Sequence, residues 1–287
     1  MSIEMHAART FIHTNGRVLD RRVFATVFEG APPSGVIDAL RAYRNADGGF
    51  GHGLEPDKRA PDSQPLDTET AFEAMDMAGI VDAATVTAAC DWLATVADGS
   101  AMVPLAFEPM LAYPHAEHWA QIPLVPGVNP TAGLAALLWR WGVDHPWREA
   151  ATAGCWKAIE HEIPLEAHAL KEALLFLDAQ PDRGRAEALL PRIADRLADV
   201  ALLQLTPSAD YGVTPLHLAP TPDHLARRLF SDDVMGAFLD DLEHGQQHDG
   251  GWAISWQPPG PAAVFEWRAW RTLLALSTLR AWGRLPS

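Results

Sequence analysis

The stretch QQHDGGWAISW, Gln246 to Trp256, has a weaker copy in RNADGGFGHGLEPD, Arg44 to Asp57. Each places Asp-Gly-Gly-aromatic directly after an amphipathic helical pattern, and each is followed by a further apolar helical pattern. One punctuation mark used near both ends of a chain predicts helical hairpins laid down in succession around a common centre. The motif has the chemistry of a turn. Asp249 caps the N–H groups that follow it, Gly250 and Gly251 allow positive φ, Gln246 bonds across the turn, and Trp252 packs over it.

The rest of the chain divides at the same kind of mark. Ser2 to Glu29 reads as one or two helices broken at Asn15-Gly16. Hairpin one spans Ser34 to Ile80: Ser34 caps the first helix, and the second starts near Asp67 with Thr70 and Glu73 as a capping box. Hairpin two pairs Ala83 to Ala97 with Thr131 to Gly142, and hairpin three pairs Trp147 to Glu162 with Leu165 to Leu177. A helix from Ala186 to Leu203 and a short one from Pro222 to Phe230 follow, and the last pair is Asp232 to Glu243 with Glu266 to Trp282. In several pairs the first helix is more charged, while the second is rich in Ala, Leu and Gly. Small apolar helices suit an inner ring and charged ones an outer ring.

Composition agrees with an all-α fold, since Ala and Leu are abundant and β-branched runs are short. With 287 residues, 48% of them hydrophobic, the chain can bury a large core as a single domain over residues 1–287. The formal net charge of −15 repels a phosphate backbone, so nucleic acid is not the expected partner. Cys90 and Cys155 lack metal or disulfide spacing and read as buried free thiols. No run reaches the length of a membrane span, and Glu4, His6 and Arg9 interrupt the region a signal peptide would need. The expectation is a soluble, cytoplasmic protein.

Gln246, Asp249, Gly250, Gly251 and Trp252 form QxxDGGW, which resembles the QW motif of squalene-hopene and oxidosqualene cyclases and the related prenyltransferase-type repeats. In the first copy Asp47, Gly48, Gly49 and Phe50 match, and Arg44 stands where Gln is expected. The resemblance implies an (α/α) toroid of about five to six hairpins with inner and outer helix rings. It also implies a central cavity where acid/base chemistry acts on an apolar, isoprenoid-like small molecule. Those cyclases protonate an alkene from a DxDDTA motif at an inner-helix start. Here Leu66-Asp67-Thr68-Glu69-Thr70-Ala71 stands in a comparable place, with Glu69-Thr70-Ala71 on the closing Asp-Thr-Ala. The donor position falls on Thr68, and Asp67 is one residue earlier, a turn of about 100° on a helix. The zinc pattern of prenyltransferase β subunits, the GCGEQ thioester and a DDxxD magnesium motif are absent from the sequence, so neither a metal nor another cofactor is expected.

In such a fold the N-termini of the inner helices share one mouth, where backbone N–H groups favour polar and anionic partners. Asp67, Glu69, Glu266 and His217 are accordingly the catalytic candidates. His52, Glu55, Asp57, His168, Trp256, Trp267 and Arg268 are candidates for substrate binding, with Trp252 and Trp270 adding to an aromatic wall. Two other readings share these features: a non-catalytic ligand-binding or scaffold toroid, and a carbohydrate-active (α/α) barrel hydrolase or lyase.

Overall fold

A computed structural model of the chain describes residues 3–285. It is all-α, and among the described residues the only β pairings are isolated bridges. The helices are α1 (Met5–Asn15), α2 (Val18–Glu29), α3 (Ser34–Leu40), α4 (Pro65–Met77), α5 (Ala83–Val96), α6 (Val128–Arg140) and α7 (Pro146–His161). They continue with α8 (Ala167–Ala179), α9 (Arg183–Glu187), α10 (Leu190–Ala194), α11 (Pro215–Leu218), α12 (Asp232–His244) and α13 (Pro261–Ala281). Among the described residues, no helix is long and apolar enough to cross a membrane.

Packing follows the composition of the helices. The small residues of α6 are buried almost without interruption from Pro130 to Leu138, and α6 packs on α4, α7 and α8. α4 also touches α2, α3 and α5; α8 also touches α9 and α11; α13 touches α1, α2 and α12. One connected apolar core runs from Ile3 to Leu279, and a small second cluster around Met110 and Trp119 sits beneath the loop region. Cys90 and Cys155 are buried and unbonded, with burial pushing both thiols up to about 12.

The Asp-Gly-Gly turns are built alike. Asp47 Oδ1 accepts the Gly49 N–H at 3.0 Å, and Asp249 Oδ1 accepts the Gly251 N–H at 3.2 Å. The aromatic residue then donates its backbone N–H to a threonine hydroxyl on the following helix: Phe50 to Thr68 (3.4 Å) and Trp252 to Thr272 (3.1 Å). A third turn, after α5, repeats the lock without the glycine pair, with Val103 N–H donated to Thr131 at 2.9 Å. Each turn also presses on another helix. The first meets Ala88 of α5, the second Gly154 of α7, and the last Ala7 of α1. Gln246 holds this last contact: its Oε1 accepts the Glu4 N–H at 2.8 Å, and its Nε2 donates to the Glu4 and Gly250 carbonyls at 3.1 Å.

Several expected boundaries differ. Ser34 is the first helical residue of α3 rather than its cap. α4 starts at Pro65, whose missing N–H suits a first turn, so Thr70 lies within the helix and its hydroxyl bonds the Leu66 carbonyl at 2.9 Å instead of forming a capping box. The expected Ala186–Leu203 helix is broken into α9, α10 and a 3₁₀ turn, with Pro191 standing where a continuous helix would need an N–H. Leu225–Leu229 is 3₁₀. α13 begins at Pro261, five residues before Glu266, so Glu266 is not a helix start.

Gly250, at φ +93°, leaves no room for a Cβ, which would fall 2.2 Å from the Ala7 carbonyl group. Gly250→Ala is expected to cost about 2–4 kcal/mol in urea denaturation, from strain at positive φ and loss of the α1 contact. Gly236, inside α12 with nothing within 4 Å of a built Cβ, is the control. Gly236→Ala should stabilise by up to about 1 kcal/mol through helix propensity.

Candidate active site

A cavity of about 400 Å³ runs from the early turns of α4, α6 and α8 toward the last turns of α4, α6 and α13. Its walls are mainly aliphatic, with Met77, Leu137, Leu175, Leu216 and Leu274, and Phe238 as the aromatic contribution. At its inner part stand Glu69 and Glu73 of α4, Lys171 and Glu172 of α8, His217 of α11 and Arg271 of α13.

The acids meet over Gly133. A Cβ there would lie 2.0 Å from Glu172 Oε2 and 2.1 Å from Glu69 Oε1, so only glycine lets both carboxyl groups converge on α6. Glu69 and Glu172 are 4% and 3% exposed. Burial, and then the nearby charges of Glu172 and Glu73, hold the Glu69 carboxyl well above the usual carboxylate range. Its Oε1 has no hydrogen-bond partner. Lys171 lies 2.9 Å from Glu172 and 3.7 Å from Glu73. Burial opposes its charge, but these acids outweigh it and keep the ammonium protonated. The arrangement is a carboxyl pair able to share one proton, with a lysine balancing the ionised member.

His217 faces the same space. Arg271 Nη1 lies 2.8 Å from His217 Nε2, and a guanidinium can only donate. Nδ1 accepts the Thr214 backbone N–H at 2.9 Å and also lies 2.9 Å from Thr214 Oγ1. Burial, reinforced by Arg271 and Lys171, lowers the His217 pKa well below its ordinary value, which keeps the ring neutral.

The remaining candidates lie outside the cavity. Lys58, 1% exposed, bridges Glu55 and Asp67 at 2.8 Å each, over the face of Trp119. Asp67 Oδ1 also accepts the Glu55 N–H at 2.8 Å, so Asp67 ties the loop to α4. Asp57 accepts the indole N–H groups of Trp267 (2.8 Å) and Trp256 (3.3 Å). Burial and then Glu55 push its carboxyl up to about 7, against the pull of those two donors. Trp256 packs edge-on against Trp267 and Tyr211, and Tyr211 hydroxyl lies 2.9 Å from His168 Nε2, whose Nδ1 is held by Glu166 at 2.6 Å. This cluster sits one helical turn before Arg271, since Trp267 and Arg271 are four residues apart on α13.

Glu266 pairs with Arg59 at 2.8 Å, and Arg268 makes a two-pronged bond to Asp249 and braces the last Asp-Gly-Gly turn. His52 bonds Asn45 within its own loop at 2.9 Å. Trp252 donates its indole N–H to the Leu242 carbonyl, and Trp270 is core. The expected aromatic wall is therefore not at the cavity, which is lined by leucines.

Of the predicted catalytic set, the structure brings together Glu69 and His217. It adds Glu73, Lys171, Glu172, Arg271 and Gly133. Lys171 and Glu172 follow His168 by about one turn on α8, a signal that the helical repeat carried.

The raised Asp57 carboxyl binds its proton more tightly in the folded than in the unfolded chain. Its contribution to stability is therefore greatest below the unfolded value near 4 and is lost as pH rises toward about 7. Asp57→Asn keeps an oxygen for both indoles and removes the charge. Chemical denaturation should show the variant gaining on the order of 1–2 kcal/mol over wild type at pH 8, and no gain at pH 4. No protein-family model matches the chain, and no curated protein is similar to it in sequence at a significant level.

Proposed function

We propose that the hairpins close into an α/α toroid, and that its central cavity carries acid/base chemistry on a largely apolar small molecule, with Glu69 as proton donor and Glu172 as its partner. The observation that carries this is the convergence of two buried carboxyl groups over Gly133 inside an aliphatic-walled cavity. Closure is supported by the last turn, which presses on α1 as the first presses on α5, and by the contact of α13 with α2. An open cavity in place of packed side chains favours catalysis over a scaffold.

In the reaction we infer, the Glu69 O–H bond breaks as a C–H bond forms at one alkene carbon, leaving positive charge on its neighbour. Loss of an adjacent proton to the resulting carboxylate restores Glu69, and the net change is an isomerisation. Glu172, paired with Lys171, lowers the energy of the cationic state. Glycosidase acids stand roughly 5–10 Å apart to flank a sugar. These two crowd one point, which favours the shared-proton reading over the carbohydrate one.

The test is deuterium incorporation from D₂O into isoprenoid alkenes such as farnesol and squalene, read by mass spectrometry. Glu69→Gln should lose at least about 100-fold in rate, the usual contribution of a general acid. Gly133→Ala, whose Cβ meets only the flexible ends of two side chains, should stay folded and lose the reaction by forcing the pair apart. The rate should fall as pH rises through the elevated Glu69 value, not near the ordinary carboxylate range. Wild-type rates in a folded Glu69→Gln variant would sink the proposal.

A further inference from the structure

The cations that line the cavity are matched by acids, with one exception. Lys171 is held by Glu172 and Glu73, and Arg140 by Asp76 at 2.6 Å. Arg271 has no such partner. Among the described residues no carboxylate stands within ion-pair distance of it. Its one protein hydrogen bond runs from Nη1 to His217 Nε2 at 2.8 Å, which leaves the Nε–H and Nη2–H edge without a protein acceptor. Arg271 lines the cavity, so that edge belongs to the cavity surface.

A guanidinium cannot escape desolvation by losing its proton, so an unpaired one on a cavity wall favours an anion. The protein provides none, and it spends a histidine and a threonine on fixing the group in place. His217 takes the Nη1–H and is itself held through Thr214, which leaves the free fork in one orientation. A planar fork with two parallel N–H groups matches a carboxylate. A lone cation facing a wall that carries Glu69, Glu73 and Glu172 suits a monoanion and disfavours a dianion. Leu137, Leu175, Leu274 and Phe238 leave an apolar space beside it for a hydrocarbon body.

We propose that the cavity takes a long-chain amphiphile with one carboxylate, the carboxylate seated on the free edge of Arg271 and the chain against the leucine walls. This deepens the acid/base reading by naming its substrate class, an unsaturated chain acid held at its head while Glu69 reaches the chain.

Isothermal titration calorimetry with dodecanoate, dodecanol and dodecyl phosphate, each below its micelle concentration, tests it on wild type, Arg271→Gln and Arg271→Lys. Wild type should bind dodecanoate at least about tenfold tighter than dodecanol, as expected for a charge-assisted pair. Arg271→Gln should erase that preference, with dodecanoate weakened about 10–100-fold and dodecanol unchanged. Arg271→Lys, which keeps the charge and safeguards the test should the glutamine variant misfold, should bind dodecanoate less tightly than wild type while still preferring it to dodecanol.

Equal binding of dodecanol and dodecanoate by wild type, tighter binding of dodecyl phosphate, or no binding of dodecanoate would each overturn the proposal. So would an unchanged preference in Arg271→Gln. The two readings fail separately. Arg271-dependent dodecanoate binding with proton chemistry unaffected by Glu69→Gln would sink the acid/base reading alone. Glu69-dependent deuterium exchange without any preference for the carboxylate would sink the present inference alone.

Discussion

A backbone N–H donated to a threonine hydroxyl fixes where α4, α6 and α13 stand. Phe50 to Thr68, Val103 to Thr131 and Trp252 to Thr272 are three instances of one lock, each joining a turn to α4, α6 or α13. The residues of the site are neighbours of those threonines. Glu69 follows Thr68, Gly133 stands two after Thr131, and Arg271 precedes Thr272. A single such hydrogen bond is worth only about 1 kcal/mol. Its value here is register: rotating or sliding one helix by a residue would swing its cavity-facing side chain by about 100° and scatter the cluster.

The site is costly to the fold, and this is its most informative property. Burying carboxyl groups against one another raises their proton affinity, and burying a guanidinium with no counter-charge gives no return in stability. Around Lys58 the same chain shows how it treats charges kept for structure: Glu55 and Asp67 close on the ammonium at 2.8 Å each, and Trp119 covers it. Around Glu69 and Arg271 that matching is withheld. Glu69, which meets another carboxyl group, and Arg271, which has no acid partner, both line the same cavity. Local rules broken together in one place make this cavity the candidate site, since packing alone would have selected apolar residues there.

Much of the architecture was legible in the sequence because it rests on local chemistry. Helical periodicity and Gly/Pro punctuation placed α2, α5, α7 and α12 within a residue or so of their observed ends. Turn chemistry accounted for Asp249, Gly250 and Gly251, and Arg268 proved to belong to that turn as well, by bonding Asp249. Errors fell where one local signal competed with another. A proline at a first helical position was passed over in favour of a later acid at both α4 and α13, which displaced Glu266 from a supposed helix start. The 186–203 segment carried helix-forming residues but also Pro191, and the proline prevailed.

The sequence by itself determined the all-α class, the turns that punctuate it, and the candidate groups Glu69, at the start of a second helix, and His217, in a loop. Helical period and turn propensity act over a few residues, so a linear reading captures them. Only the tertiary structure decided which charges are paired. Asp67 and Glu69 are two apart on one helix, yet the first meets Lys58 and the second meets Glu172 from α8 across Gly133 of α6. Desolvation and ion pairing depend on distance in space between segments far apart in the chain. For that reason the partnership of Glu69 with Glu172, and the solitude of Arg271, came from the fold.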